Sequence, residues 1–311
     1  MAEVLFAIPS YRRPRSLEAL LRSLERISSG GDRVRVLVGE NDVTRQEARQ
    51  VVDRLNAEGW RFPLSTLLVP EPGLCSNRNA LLAAFLADAT ADRLVMIDDD
   101  QTVSPGWYEA LLRMRERTGA EVVGPWIEPA FPPGSPAWAY RSRIYREGVR
   151  GDGPVPFVPI VTGAMISRSA ILRMRRPAFD PQFNLTAGED VDFCRRLKLA
   201  GARFACAASA RVTEHYPESR VTLSWALQRA YRGGNSNVAV GRVHTSAPLL
   251  YLRETGKICA KLTIGTVKLG LLFWSPHGRV DALCDIARAV GKAAGLYFGA
   301  RYQEYAKTHG A

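Results

Sequence analysis

The stretch "RLVMIDDDQTVSPGWYEALL", residues 93–112, runs from an apolar segment through three adjacent aspartates into a helical pattern. Adjacent carboxylates repel one another by roughly 1 kcal/mol per pair even in a high dielectric, so they favour a place where a cation neutralises them. Mg²⁺ and Mn²⁺ select carboxylate oxygens, and Mg²⁺ usually combines one or two of them with substrate phosphates. In an extended chain, Asp98 and Asp100 project to the same side. We therefore predict that these two residues hold Mn²⁺ or Mg²⁺ at the end of a strand.

The aspartates have two alternative roles. Acidic residues are common at helix starts, so the three could form a solvated turn before the next helix. The string "DDDQT" also fits D-x-D-x-T, the nucleophile loop of haloacid-dehalogenase-like phosphatases, in which Asp98 would carry the phosphoryl group. In those enzymes the loop normally follows the first strand of its domain, whereas three strand–helix units precede it here. The position in the chain therefore favours the metal site.

Short apolar runs and helical patterns alternate on both sides of this stretch, from the strand "VLFAIPS" to the strand "AEVVGPW". This alternation predicts an α/β fold with a mostly parallel central sheet flanked by helices. One of the helices, "SNRNALLAAFLADA", is predicted to begin at Ser76 as its N-cap. Ligands of such sheets bind beyond the carboxyl ends of the strands. We therefore expect one rim to carry the loops "PSYRR", "GEND", "PEPG" and "DDD".

Residues 126–160 are rich in proline, glycine and aromatic residues, which predicts an irregular excursion over the sheet edge. Trp126, Trp138, Tyr140 and Tyr145 are candidates for a wall that stacks against a sugar ring. Packing in the core or at the sheet edge is the alternative for each of them.

The chain of 311 residues carries a net charge of +11, with a sequence pI near 9.7. Its five cysteines form no C-x-x-C pair, so neither a disulfide framework nor a zinc site is expected. The first residues lack the pattern of a signal peptide, and no stretch approaches the roughly 20 apolar residues that cross a bilayer. No nucleic-acid recognition motif accompanies the basic charge. We predict a cytoplasmic chain that binds no nucleic acid.

The order of the motifs resembles family 2 glycosyltransferases, inverting enzymes of the GT-A fold, of the type that builds bacterial surface polysaccharides. The similarity covers roughly residues 3–240. One departure is Glu40, where that family usually has an aspartate near the nucleobase. The resemblance rests on the motifs "IPSYRRP", "VLVGEND", "EPGLCSNRNALLAAF", "VMIDDDQTVSPGWYEAL", "TGAMISRSAI" and "GEDVDFCRRLKLAG".

The resemblance implies a nucleotide-sugar donor, UDP-hexose, and a further metal ligand, His215, for which a surface or packed histidine is the alternative. Arg229 and Arg232 stand at helical spacing and suit a diphosphate clamp, with a solvated basic face as the alternative. A surface cation is the alternative for Arg78. The implied nucleotide-sugar-binding residues are Pro9, Tyr11, Arg13, Glu40, Asp42, Arg78, Asp98, Asp99, Arg229 and Arg232.

The resemblance also implies the catalytic pair in "GEDVD". Asp190 would be the general base that takes the proton of the acceptor hydroxyl, with Glu189 beside it. Ordinary placement of acids at a helix start is the alternative. The implied acceptor-binding residues are Trp126, Gly163 and Asp192, and Asp192 is also the alternative base.

The tail from residue 249 to residue 311 holds nine Lys or Arg residues and four acidic ones. Arg253, Lys257, Lys261 and Lys268 recur at helical spacing and predict one basic face, and a second helix is predicted after Asp281. Basic amphipathic helices with nearby aromatic residues favour an anionic membrane surface. Packing on the catalytic domain and a homodimer contact are the alternatives.

These observations predict a catalytic domain over residues 1–240 and a basic helical tail over residues 241–311. The catalytic domain would divide into a nucleotide-sugar-binding half (1–125) and an acceptor-binding half (126–240). The predicted activity is inverting, metal-dependent transfer of a hexose to a glycan or polyprenyl-linked acceptor, at the inner face of the cell membrane. The alternatives are the phosphatase and a non-catalytic module that binds nucleotide-sugar or lipid.

Overall fold

The computed structural model describes residues 2–146 and 151–302. The strands in these ranges form one central sheet with the order β3-β2-β1-β4-β8-β6-β9-β5, and β7 pairs with β9. In chain order the strands are β1 (Glu3–Ser10), β2 (Arg33–Glu40), β3 (Leu64–Leu68), β4 (Arg93–Met96), β5 (Gln101–Val103), β6 (Val122–Ala130), β7 (Gly153–Val155), β8 (Ala164–Ser167) and β9 (Phe204–His215).

The half of the sheet formed by β3, β2, β1 and β4 is parallel, as the alternation predicts. The other half is mixed, because β8 runs antiparallel to β4 and β6 while β6 and β9 run parallel. Ser10 and Glu40 lie opposite each other at the ends of β1 and β2. The carboxyl ends of β1, β2 and β4 therefore meet at one edge, which we call the rim (residues 9–13, 40–42 and 97–100).

Helices cover both faces of the sheet, and β1 shows why. Its side chains alternate between the faces: Phe6 and Ile8 enter the core formed with α1, α2 and α4, whereas Leu5 and Ala7 enter the core formed with α3, α5 and α6. These helices are α1 (Pro14–Glu25), α2 (Glu47–Ala57), α3 (Leu74–Ala87), α4 (Trp107–Thr118), α5 (Arg168–Leu172) and α6 (Glu189–Leu199).

Two local predictions are wrong. The predicted cap Ser76 lies within the first turn of α3, because that helix begins at Leu74 after Gly73, whose φ of 118° is accessible to glycine. The strand predicted to end near Trp126 continues to Ala130, because β6 pairs with β9 along its length, with a register shift between Pro125 and Trp126. The rest of the predicted excursion contains a 3₁₀ turn at Arg143–Tyr145 and the strand β7.

The chain continues into three long helices: α7 (Leu223–His244), α8 (Ala247–Leu271) and α9 (Pro276–Tyr297). The predicted domain boundary between residues 240 and 241 falls inside α7. The last helix begins at Pro276, not after Asp281 as predicted, because Ser275 caps it by accepting from the Gly278 N–H at 3.3 Å.

The packing of α9 against α7 is close. A side chain at Gly234 or Gly291 would collide with backbone atoms of the facing helix, so these glycines permit the approach. In turn, α8 packs on α9 from the other side. Within the described ranges, every helix is too short or too polar to cross a bilayer.

Candidate active site at the rim

The three aspartates occupy a turn between β4 and β5, not the extended strand end that the sequence predicts. Asp99 is buried and accepts from the Ser10 hydroxyl at 2.9 Å and from Arg13 Nη1 at 3.1 Å. Asp98 and Asp100 remain partly exposed at the rim. The side chains of the three aspartates therefore still alternate in direction through the turn, with Asp99 buried and Asp98 and Asp100 accessible.

Arg78 connects the aspartate turn to the start of α6. Its side chain is only 2% exposed. Its guanidinium donates to Asp98 Oδ1 at 2.9 Å, to Glu189 Oε1 at 2.9 Å and to Asp190. The predicted metal ligand Asp98 and the predicted base Asp190 are thus brought together by one buried cation. The alternative for Arg78, a surface cation, is wrong.

Arg13 and Arg220 add two further cations. Arg13 Nη1 lies 3.0 Å from Asp100 Oδ2, and Arg220 Nη1 lies 3.3 Å from the same oxygen. We call these side chains together the rim cluster, which comprises Asp98, Asp99, Asp100, Glu189, Asp190, Arg13, Arg78 and Arg220.

Burial makes two carboxyls of the rim cluster hard to ionise. It raises the pKa of Asp190 to about 7, because the attraction of Arg78 does not outweigh desolvation and the repulsion from Glu189 and Asp98. Burial likewise raises the pKa of Asp99 to about 7, with Arg13 acting against it and Asp100 adding to it. The cluster therefore has more carboxylate than its arginines neutralise.

The predicted acid–base pair lies at the first turn of α6. Gly188 precedes the helix with a φ of 108°, which turns the chain so that Glu189 and Asp190 face Arg78. Asp190 Oδ2 also accepts from the Val161 N–H at 3.5 Å. An acid in the first helical turn interacts favourably with the helix dipole. The geometry is therefore compatible with both roles of these acids, helix-start placement and site chemistry.

Asp192 faces away from the rim. It is fully buried, accepts from Arg196 Nε at 2.8 Å and lies 2.7 Å from His244 Nε2. In this structure it holds α6 to the end of α7 and does not contact the rim cluster.

The acidic side chains at the end of β2 are bound by neighbouring groups of the protein. Glu40 is buried and accepts from the N–H groups of Asp42 at 2.9 Å and Ala48 at 2.7 Å, and burial raises its pKa. Asp42 pairs with Arg12 Nε at 2.6 Å, and this hydrogen bond lowers its pKa. The longer acid at position 40 therefore turns inward, Asp42 is buried in its pair with Arg12, and the ring of Tyr11 is exposed.

The end of β9 borders the aspartate turn. The His215 N–H donates to the Asp100 carbonyl at 3.1 Å, and His215 Nε2 lies 2.9 Å from Thr102 Oγ1. Arg229 lies over the Trp225 ring at 5.2 Å, and Arg232 follows three residues later on α7. In the described ranges, no three His, Cys, Asp or Glu side chains are arranged to hold a metal by themselves. A divalent ion at Asp98 and Asp100 would therefore draw further ligands from phosphate and water, as Mg²⁺ sites commonly do.

The candidate sugar-stacking residues separate into two kinds. Tyr145 is buried and stacks on Trp225 at 5.5 Å, so packing accounts for it. Trp126 is half-buried at the register shift of β6 under Arg211, and Trp138 is half-buried as well. Tyr140 is exposed. Only the last three have ring surface available to a ligand.

Gly163 lies beside the aspartate turn with a φ of 66°, and its N–H donates to the Met96 carbonyl at 2.6 Å. The neighbouring Thr162 accepts from the Asp98 N–H at 3.1 Å and donates to Gln101 at 2.7 Å. Sequence reasoning missed Thr162, Ser10 and Arg220. No spacing signal could have found them, because their partners lie 61 to 120 residues away.

Comparisons with known proteins identify the family of this chain. The family model described as "Glycosyltransferase like family 2" matches residues 2–236. The succinoglycan biosynthesis protein ExoM of Rhizobium meliloti (strain 1021) is 32% identical over 231 residues, which cover 73% of this chain and 72% of ExoM.

Two solved structures share the fold at low identity. The mannosyltransferase PcManGT of Pyrobaculum calidifontis, in complex with GDP-Man and Mn²⁺, has a TM-score of 0.63 at 15% identity and covers 95% of this chain and 87% of that one. TarS 1–349 of S. aureus, in complex with UDP-GlcNAc, has a TM-score of 0.54 at 15% identity and covers 100% of this chain and 95% of that one. The predicted α/β fold of the GT-A type is confirmed.

Proposed function

Because this chain belongs to glycosyltransferase family 2 and transfers sugar from a nucleotide-sugar donor, we propose that it does so with inversion, using a divalent metal and Asp190 as the base. The observation that carries this proposal is the position of Arg78, which holds Asp98 and Asp190 to one buried guanidinium. A metal-binding carboxylate and a base so close together suit a donor diphosphate and an acceptor hydroxyl meeting at the rim.

Asp98 and Asp100 would hold Mn²⁺ or Mg²⁺, with the remaining ligands from the donor diphosphate and water. His215, predicted as a further ligand, is not grouped with them and lies beside Thr102. The ion would stabilise the negative charge that grows on the departing diphosphate. PcManGT was crystallised with Mn²⁺, which supports a divalent ion without choosing between the two metals. Arg13, Arg229 and Arg232 would contribute fixed positive charge toward the same diphosphate.

Asp190 would take the proton as the acceptor oxygen attacks the anomeric carbon and the bond to the diphosphate breaks. A base works best when its pKa lies near the working pH, and the pKa of Asp190, about 7, meets this condition. Glu189 would share Arg78 with Asp190 and keep the carboxyls in place.

The nucleoside would lie against Pro9, Tyr11 and the end of β2, where the pair of Arg12 and Asp42 borders the buried Glu40. Asp99 would act indirectly, by positioning Ser10 and Arg13. UDP-hexose is the donor we propose first, and GDP-hexose is its natural competitor because the two structural neighbours were crystallised with UDP-GlcNAc and GDP-Man.

The proposed acceptor is a glycan or polyprenyl-linked glycan at the cytoplasmic face of the membrane. The name of ExoM, a succinoglycan biosynthesis protein, supports a polysaccharide precursor. Residues 126–240 would bind this acceptor through Trp126 and Gly163, residues 1–125 would bind the donor, and residues 241–311 would lie at the membrane. Asp192 would position α6 and would not contact the acceptor. Family membership gives the phosphatase alternative no support.

Replacing Asp190 with asparagine separates an enzyme from a binding module. Loss of a general base costs about 10²- to 10⁴-fold in rate, so Asp190→Asn should lose transfer of labelled hexose to a glycan or lipid-linked acceptor fraction. Its stabilisation by UDP with Mn²⁺, measured as a shift in Tm, should remain. Asp53→Asn, an exposed acid on α2, is the control. Normal transfer by Asp190→Asn would refute the assignment of the base.

A further inference from the structure

The outermost layer of the tail is α8, and it packs on α9 through one stripe of side chains. That stripe contains Leu250, Glu254, Ile258 and Gly265, the buried positions of the helix. The opposite side of α8 contacts none of the described residues closely enough to be buried, so it faces solvent along the length of the helix.

The solvent side of α8 is apolar. Leu252 is 74% exposed, Leu271 is 76% exposed, and Trp274 in the turn after the helix is 89% exposed. We call this surface the α8 ridge, and it comprises Leu252, Gly256, Cys259, Ala260, Thr263, Val267, Gly270, Leu271, Leu272, Phe273 and Trp274. Monomeric soluble proteins seldom expose a contiguous apolar surface of this kind without a partner.

Three of the four cations predicted for one basic face of α8 pair with acids, which corrects the expectation of an outward basic face; the fourth, Arg253, is exposed next to Leu252. Lys261 donates to Asp285 at 2.9 Å, and Lys268 donates to the same carboxyl at 3.3 Å. Lys257 donates to Glu254 at 2.6 Å. These lysines turn toward acids of α8 and α9, because those acids are buried and need counter-charges.

The flanks of the ridge have one sign of charge. Between residues 262 and 280 the chain contains no acidic residue, while Lys268 and Arg279 border the exposed turn. The Arg279 guanidinium lies 5.6 Å from the centre of the Phe273 ring. An arginine beside an interfacial aromatic ring can reach the phosphate layer while the ring stays among acyl chains.

This charge pattern distinguishes a bilayer from a second copy of the chain. In a two-fold dimer the same surface meets itself, so the exposed Arg279 would approach its own copy with no acid between residues 262 and 280 to pair with it. Phospholipid phosphates would instead pair with Arg279. A bilayer therefore fits the apolar surface and its basic border together.

We propose that the α8 ridge inserts into the interfacial layer of a phospholipid bilayer, and that apolar burial rather than net lipid charge provides most of the binding. This deepens the proposed function, because it rests on a membrane-bound acceptor and names the surface and chemistry that would hold the enzyme beside it. Interfacial helices bind in proportion to the apolar area they bury. Binding should therefore persist on zwitterionic vesicles and in high salt.

The test is flotation of the full chain with phosphatidylcholine vesicles at about 0.1 M and about 1 M NaCl, where the Debye length falls from about 10 to about 3 Å. The chain should float at both salt concentrations. The double variant Leu271→Glu/Trp274→Glu should reduce the bound fraction about tenfold or more, since charges in this layer are costly. Leu199→Glu, which changes an equally exposed leucine on α6 (74%), should float like the original chain.

Cys259 allows a second, independent readout. Of the five cysteines it alone is exposed, so an environment-sensitive fluorophore can be attached there without a substitution. The emission of the label should shift to shorter wavelength when phosphatidylcholine vesicles are added. No shift, with the chain nevertheless floating, would overturn the proposal because another surface would then bind the lipid.

Two further outcomes would overturn it. Binding only to anionic vesicles, lost in high salt, would assign the membrane contact to charge. A dimer in light scattering that the double variant dissociates, without vesicle binding, would assign the ridge to a second copy. The Tm shift with UDP and Mn²⁺, measured without vesicles, reports the donor site separately. Loss of flotation with an unchanged Tm shift would overturn the ridge proposal and leave the proposed transferase unaffected. Loss of the Tm shift with normal flotation would overturn the proposed donor site and leave the ridge proposal unaffected.

Discussion

The rim cluster and the α8–α9 pair both bury carboxyls beside cations, yet their balance is opposite. In the described part of the chain, the rim joins five carboxyls to three arginines through Arg13, Arg78 and Arg220. At the tail, three carboxyls meet five cations, one of them from outside the tail: Glu254 pairs with Lys257 and Lys292, Asp285 with Lys261, Lys268 and Arg143, and Asp281 with the same Arg143.

The pKa values follow this balance. Burial acts to raise the pKa at all four carboxyls considered. At Glu254 and Asp285 the hydrogen bonds and charges of the cations outweigh burial, and the pKa falls below its usual range. At Asp99 and Asp190 they do not, and each pKa rises to about 7. In the tail the cations already present stabilise the buried carboxylates. At the rim they do not, so one more cation would stabilise the ionised cluster. That difference is the physical basis for expecting a metal at one place only.

The largest expected effect comes from removing the central cation of the rim. Arg78→Gln would leave Asp98, Glu189 and Asp190 without their shared partner, and breaking a buried pair in this way costs about 3–5 kcal/mol. The free energy of unfolding in urea should fall by that amount, and transfer should be lost. Arg49→Gln on α2, where the arginine is exposed, is the control. A loss below about 1 kcal/mol, typical of a surface pair, would contradict the central place given to Arg78.

The next effect is stabilisation by metal, and it should depend on pH. The folded pKa values of Asp99 and Asp190, about 7, exceed the unfolded value of about 3.9. Their protonation therefore supports the fold fully below about pH 4, and this support is lost as the pH rises through about 7. At higher pH the ionised cluster should bind Mn²⁺ more tightly.

The measurement is the Tm with and without Mn²⁺ at about pH 5 and about pH 8. Mn²⁺ at 100 times its Kd stabilises the folded state by about 2.7 kcal/mol. The Tm shift at the higher pH should therefore be several degrees and clearly larger than the shift at the lower pH. Asp100→Asn should abolish it. Equal shifts at both values of pH would show that the raised pKa values have no connection to the metal.

The smallest effect concerns the tail, and its sign is opposite. The folded pKa of Asp285 lies below the unfolded value, so its charge stabilises the fold above about pH 4 and this contribution is lost as the pH falls through the folded pKa. Asp285→Asn should lower the free energy of unfolding by about 1–3 kcal/mol at neutral pH. Its urea stability should also fall less steeply between about pH 5 and about pH 2 than that of the original chain. An unchanged pH slope would mean that the lysines do not stabilise the carboxylate.

Much of the fold could be predicted from local pattern. The period of two in β1 and the helical spacing of α1 to α4 determine which side chains share a face, and the parallel half of the sheet follows from their alternation. The aspartate turn and the acids of α6 were visible as motifs in the sequence.

What could not be predicted depends on contacts between distant residues. Helical spacing groups Lys261 and Lys268 on one face, but only Asp285, 17 to 24 residues later, turns that face inward and leaves the apolar ridge outside. Arg78 has the pattern of a rim cation until the fold brings it to Glu189 and Asp190, more than 110 residues away. Burial and charge balance at such places are properties of the assembled structure.

Calorimetric titration of UDP and GDP in the presence of Mn²⁺, and again with a chelator, tests most directly that the rim takes a metal together with a nucleoside diphosphate. We predict that one of the two nucleotides binds with Mn²⁺ and that the chelator weakens its binding at least about tenfold, equivalent to 1.4 kcal/mol. Asp98→Asn and Asp100→Asn should show the same loss of nucleotide affinity in the presence of Mn²⁺. Nucleotide binding of equal affinity with and without the chelator, unchanged in both variants, would contradict the assignment of a metal to these aspartates.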